Sequence, residues 1–210
     1  MVRITVPRAF YYDVLRRSVR AMRSSHPGIS ILVTTNQTPL VAELDVDTDI
    51  LMTFDDLSEL GDCVAVPMNK TKLGIYARRD FFKGRRPPES LADLERLPWI
   101  CNYSVQSLAF YREEKLAEVI EIDPVYVVND IEAVADEVSD GAGIGMIPVA
   151  KARGRNLQRL FPEFNGKIRQ SYLVYCRQRF HPRFIEVTVE QILKDAREWF
   201  ADHNDWEVGQ

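Results

Sequence analysis

The stretch Val127–Pro148, VVNDIEAVADEVSDGAGIGMIP, constrains the fold of this chain more than any other, because it runs strand, turn, helix and second strand together as one βαβ unit. Tyr126, Val127 and Val128 form a β-branched and aromatic run. Asn129 and Asp130 follow as N-cap residues, and Ile131, Val134, Ala135 and Val138 recur at helical spacing behind them. Gly141 and Gly143 end that helix, since glycine enters the left-handed C-cap conformation without steric penalty. Ile144–Ile147 resumes as a strand closed by Pro148. Gly141, Gly143 and Gly145 do not make a dinucleotide fingerprint, which needs its glycine turn after a strand and before a helix; here the order is reversed, and the glycines read as a helix stop and close-packing positions.

With 210 residues, 46% of them hydrophobic and 28% charged, the chain can bury a sizeable core, as one large domain or two small lobes. The formal net charge of -4 gives no broad basic footprint of the kind a stand-alone DNA-binding domain shows. Cys63, Cys101 and Cys176 are odd in number and far apart, which argues against a disulfide framework or zinc ribbon and for reduced, buried thiols in a cytoplasmic protein. No apolar run is long enough to span a membrane, and the first residues enter a strand without a signal-peptide apolar region.

In chain order, Val2–Val6 alternates as a strand, and Pro7-Arg8-Ala9 turns into a helix with Tyr11, Val14, Leu15, Val19 and Met22 on one face. Arg16, Arg17, Arg20 and Arg23 occupy the other side, as expected of a solvated helix face. Ile29–Val33 is a second strand; Thr34–Pro39 is a polar loop in which Thr38 can cap a helix begun by Pro39. Asp49–Thr53, Cys63–Pro67 and Lys72–Ala77 read as strands, the last two flanking a turn at Met68–Thr71. Alternating strands and helices imply a mainly parallel sheet. Ile100–Tyr103 is a strand, and a helix is expected around Leu108–Val119. His181-Pro182 opens a final helix with Ile185, Val189, Ile192, Ala196 and Trp199 on one buried face.

The segment Asn129–Pro148, with its Asn-Asp turn, helix and Gly-x-Gly-Ile-x-x-x-Pro strand, resembles the effector-binding domain of LysR-type transcriptional regulators. Asp49 at the start of the third strand, the Pro88, Leu91, Leu94, Pro98 spacing, and Leu157–Pro162 ahead of the return strand Gln170–Tyr175 extend that resemblance over nearly the whole chain. Where the family usually has a glycine three residues before that aspartate, Val46 stands. The resemblance implies an α/β fold of two Rossmann-like lobes joined by two crossover strands, the periplasmic-binding-protein-like type 2 architecture, with a small effector bound between them. Lobe I would hold residues 1–77 and 177–210, and lobe II residues 78–176. It also implies a cytoplasmic homodimer through the effector domains, possible tetramers of the full-length regulator, and DNA binding only through an N-terminal winged helix-turn-helix that this chain does not contain. An exported solute-binding protein of the same fold is the alternative.

A site in an open α/β lobe lies at the carboxyl ends of its strands, where helix N-termini leave unpaired N–H groups. The residues there are Arg8 and Ala9; Thr34, Thr35 and Asn36; Met52 and Thr53; Tyr103, Ser104 and Gln106; Asn129 and Asp130; and Met146. Ser104, Asp130 and Thr38 can equally serve as plain helix caps, and Arg8 can point to solvent or pair with an acid. The resemblance makes these loops converge on one effector, and Arg8, where the family more often has a small or hydroxyl residue, suggests a carboxylate. No nucleophile elbow, zincin motif or phosphate loop is present, so no catalysis, cofactor or metal is expected.

Overall fold

The computed structural model describes residues 1–37, 39–44, 48–54, 57–58, 60–176 and 183–203. Thr38, Val46, His181 and Pro182 lie outside the described residues, as do the expectations placed on them. The chain divides into two compact units, Met1–Lys70 with Gln170–Gln210, and Thr71–Arg169; both crossings fall somewhat earlier in the chain than expected.

The first unit opens with β1 (Val2–Pro7), then α1 (Arg8–Phe10), a π-helical turn (Tyr11–Leu15) and α2 (Arg16–Ser25) in direct succession. β2 (Ile31–Asn36), a 3-10 turn (Val41–Glu43), β3 (Ile50–Thr53) and β4 (Cys63–Thr71) follow. The second unit contains β5 (Leu73–Arg78), a 3-10 turn (Ala92–Arg96), β6 (Trp99–Cys101), β7 (Ser107–Arg112), β8 (Lys115–Glu121), β9 (Pro124–Val127), α3 (Ile131–Asp140), β10 (Ile144–Pro148), α4 (Val149–Ala152) and β11 (Leu157–Leu160). The chain returns through β12 (Arg169–Cys176) to α5 (Arg183–His203).

In the first unit the sheet order is β2-β1-β3-β12-β4. β1 runs parallel to β2 and β3, and β12 antiparallel to β3. Val2, Ile4 and Val6 on one face of β1 join Val14, Leu15, Ile185, Val189 and Ile192 in a single apolar cluster, each of these side chains gaining about 1.5–3 kcal/mol by leaving water. The other face of β1 is polar but satisfied. The Asp49 carboxylate accepts the backbone N–H of Arg3 at 2.7 Å and its guanidinium at 2.8 Å and 3.2 Å, and the buried hydroxyls of Thr5 and Thr48 share a hydrogen bond of 2.7 Å. Arg17 of the basic helix reaches Asp195 and Glu198 on α5, whereas Arg16, Arg20 and Arg23 are exposed.

In the second unit the order is β11-β5-β10-β6-β9, with β6 parallel to both β10 and β9 and β5 antiparallel to β10 and β11. Both sheets are therefore mixed rather than mainly parallel. Val134, Ala135 and Val138 pack α3 onto this sheet, and Gly141 ends the helix at φ 88°, the left-handed region in which glycine is unstrained. A Cβ on Gly143 would collide with the Pro98 carbonyl, and one on Gly145 would come within 2.9 Å of Val138, so these two glycines let α3 and β6 close on β10.

Four further expectations are corrected. The segment 107–121 is a β-hairpin, β7–β8, and not a helix: Phe110 and Ile120 anchor it in the core beside Trp99, and Glu113 and Glu114 make its turn with both φ values positive, at 49° and 62°. Glutamate is a poor residue for such a turn, which normally takes Asn or Gly, so its sequence carries no hairpin signal. β4 runs on through Met68–Thr71, where a turn was expected. The residues after Pro39 form only the short 3-10 turn, in which the Glu43 carboxylate takes the Leu40 N–H. Cys63 and Cys176 are not free thiols but a disulfide between β4 and β12; 113 residues separate them in sequence, and only the pairing of those strands makes them neighbours. Cys101 is free and buried, and burial pushes its thiol up to about 11.

Candidate functional site

Parallel pairing aligns the carboxyl ends of β1, β2 and β3 at one edge of the first unit's sheet, with Val6 opposite Thr35 and Pro7 opposite Asn36. This register brings Arg8, Ala9, Thr34, Thr35, Asn36 and Thr53 to the same end. Pro7 stands at the helix N-cap, where it offers no side-chain hydrogen bond, so the first-turn amides keep their partial positive charge at this end. Arg8 is exposed, with its guanidinium carbon 5.8 Å from the centre of the Tyr12 ring; Arg16 lies 5.9 Å from the same ring. Tyr12 was absent from the sequence reading, although its position one helical turn beyond Arg8 was the available signal. It lies in the π-helical turn, a local widening that recurs at functional sites.

Thr34 and Thr35 are exposed at the end of β2. Asn36 is held in place: its amide donates to Glu43 at 3.0 Å, and its oxygen accepts the Gln37 N–H at 2.7 Å. Thr53 is fully buried and donates its hydroxyl to the Pro39 carbonyl at 2.6 Å, while Met52 belongs to the apolar core. Both therefore support this strand end from below.

The second unit repeats the arrangement. Cys101 pairs with Val127 and Gly145 with Ile100, so the loops leaving β6 and β9 start side by side, with Met146 on the neighbouring strand. Tyr103, Ser104, Gln106 and Asn129 are exposed there. Asp130 caps α3, its carboxylate accepting the Glu132 N–H at 2.9 Å. Met146 is half-buried, and its sulfur fills the space above Gly166. Glu132 and Asp136 of α3 are paired with Arg155, and Glu132 also with Lys151.

Each unit thus presents a strand end with exposed hydroxyl and amide side chains. Among the described residues no group of three His, Cys, Asp or Glu side chains could hold a metal ion, and no helix is long and apolar enough to cross a membrane.

The model of the LysR substrate binding domain matches residues 1–197. The chain belongs to that family. As a LysR substrate-binding domain it is a regulatory, ligand-sensing module of transcriptional regulators and not an enzyme, built on the periplasmic-binding-protein-like type 2 fold. Among solved structures it is similar to the regulatory domain of AphB from Vibrio vulnificus (16% identity, 92% of this chain and 96% of that one, TM-score 0.73). It is also similar to full-length AphB of Vibrio cholerae, a virulence activator (15% identity, 92% and 67%, TM-score 0.78), and to the effector domain of AmpR from Pseudomonas aeruginosa (14% identity, 97% and 99%, TM-score 0.67). At these identities the likeness is one of fold. Comparison with curated proteins by sequence gives no match.

Proposed function

We propose that this LysR-family domain senses a small anionic metabolite, a carboxylate, at the strand ends described above, and relays its binding to a DNA-binding domain of the same cytoplasmic regulator. Arg8 is the charged partner. The observation that carries this is the position of an exposed arginine at the first residue of a helix whose N-cap offers no side-chain acceptor, so that a guanidinium and a positive helix end act on one ligand. A guanidinium engages a carboxylate bidentately, and such charge-assisted bonds contribute about 1.5–3 kcal/mol when sheltered from water. Thr34 and Thr35, at the neighbouring strand end of the same unit, supply neutral hydrogen bonds. A thermal-shift screen of organic acids against neutral and cationic metabolites tests the reading.

The domain also works as a homodimer in this proposal, the first unit of one copy against the second unit of its partner, with tetramers open to the full-length regulator. Exposed apolar residues support it: Tyr12 in the π-helical turn and Leu32 on the edge strand β2 of one unit, and Val125, Tyr126 and Val127 on the edge strand β9 of the other. Sheet edges with outward apolar side chains are surfaces that native proteins cover.

A further inference from the structure

We infer that Cys63 and Cys176 are a reversible redox-modification site, a dithiol that a low-molecular-weight disulfide oxidises to clamp the two strands on which the chain passes between its units. Cys63 opens β4, and Cys176 ends β12 beside it in the sheet. β4 runs to Thr71, the first residue of the second unit, and β12 begins at Arg169, its last. A bond between the two sulfurs therefore ties the outgoing strand to the returning one. Gln170 and Ser171 pin the strands with polar bonds nearer the crossing: the Gln170 side-chain amide and the Ser171 hydroxyl both donate to the Asn69 carbonyl, at 3.2 Å and 2.9 Å.

Two features favour a switch over a permanent brace. Both cysteines are half-buried on apolar Leu44, Leu51 and Val174, and β4 is the edge strand of its sheet, so the sulfurs lie within reach of a small oxidant or reductant. In a reducing compartment a disulfide persists only transiently, as a catalytic or sensing group. That second argument rests on the reading of the chain as a cytoplasmic regulator; the position of the sulfurs does not. Cys101, buried in the core of the other unit with its thiol pushed up to about 11, carries almost no thiolate and stays out of the exchange.

The chemistry balances with a disulfide oxidant. The thiolate of one cysteine attacks the oxidant's sulfur and releases one thiol; the second cysteine attacks the resulting mixed disulfide and releases the other. The two protons leave with the released thiols, the two cysteines are oxidised, and the oxidant is reduced.

The test equilibrates the full chain in oxidised and reduced glutathione, then counts alkylatable thiols after denaturation and follows amide exchange. The expected result is a fall from three thiols to one, the survivor mapping to Cys101, full recovery when dithiothreitol is added to the folded chain, and at least a tenfold slowing of exchange in β4 and β12 in the oxidised state. Cys101→Ser should leave the exchange change intact, and Cys63→Ser should abolish it. Three persistent thiols, a glutathione adduct without ring closure, or a bond that resists dithiothreitol until the chain unfolds would each overturn the inference. Because these readouts follow the chain's own sulfurs, they are unaffected if the carboxylate screen fails.

Discussion

Asp49 joins the turn ahead of β3 to β1 by accepting three hydrogen bonds from Arg3, one from the backbone and two from the guanidinium. Burial pushes the Asp49 carboxyl up, but the Arg3 hydrogen bonds and charge outweigh it and hold the group below its ordinary value of 3.8. The folded carboxylate therefore releases its proton more readily than the unfolded one. Its contribution is complete above the ordinary value and is lost as the pH falls through the lower folded one. Asp49→Asn should cost about 1 kcal/mol at neutral pH, discounted for solvent screening of a partly exposed pair, and flatten the acid limb of stability. Urea melts from pH 7 down to pH 3 check this, and an unchanged acid limb would remove the pair from the account.

Gly143→Ala should be far more costly than its size suggests, because the added methyl meets the Pro98 backbone and neither strand can give way without breaking the sheet. Overpacking of this kind costs about 1–3 kcal/mol. Gly28→Ala, where nothing stands within 4 Å, should change stability by less than about 1 kcal/mol. Equal losses at the two positions would contradict the packing described for β10.

Those glycines belong to the part of the fold that was legible in sequence. The βαβ stretch declared itself through periodicity, Asp130 and Gly141, because cap and stop residues act locally. The strand-end positions Arg8, Thr34, Ser104 and Asn129 followed from element order alone. What stayed hidden depends on distant partners or on unfavourable local choices: the Glu113-Glu114 turn uses residues with no preference for positive φ, and Cys63 meets Cys176 only after β12 returns to β4. Met52 and Thr53 were expected at a strand end, and only the packing around them revealed that they face the core.

Association should be visible by sedimentation at micromolar concentration, with a dimer for the parent chain and a folded monomer for Val125→Lys, whose side chain is 67% exposed on edge strand β9. Val14 lies in the π-helical turn but is fully buried, so a charge there would report on folding alone. A parent chain that sediments only as a monomer counts against the dimer.

The isolated chain should bind duplex DNA weakly and without sequence preference, since its formal net charge is -4 and the proposed recognition helix lies in another domain. Any retardation in a gel should vanish as salt rises. A salt-resistant, sequence-specific shift would contradict this division of labour.

The carboxylate proposal is tested most directly by thermal-shift measurements on the parent chain and on Arg8→Ala with the same panel of organic acids, neutral metabolites and cations. A carboxylate present at about one hundred times its Kd stabilises the folded state by about 2.7 kcal/mol. For a chain of this size that corresponds to a rise of roughly 5–11 °C in Tm. The account predicts such a rise with one or a few acids, none with the neutral or cationic compounds, and loss of most of it in Arg8→Ala. Hits that are neutral or cationic, or acids that stabilise Arg8→Ala as much as the parent, would contradict it.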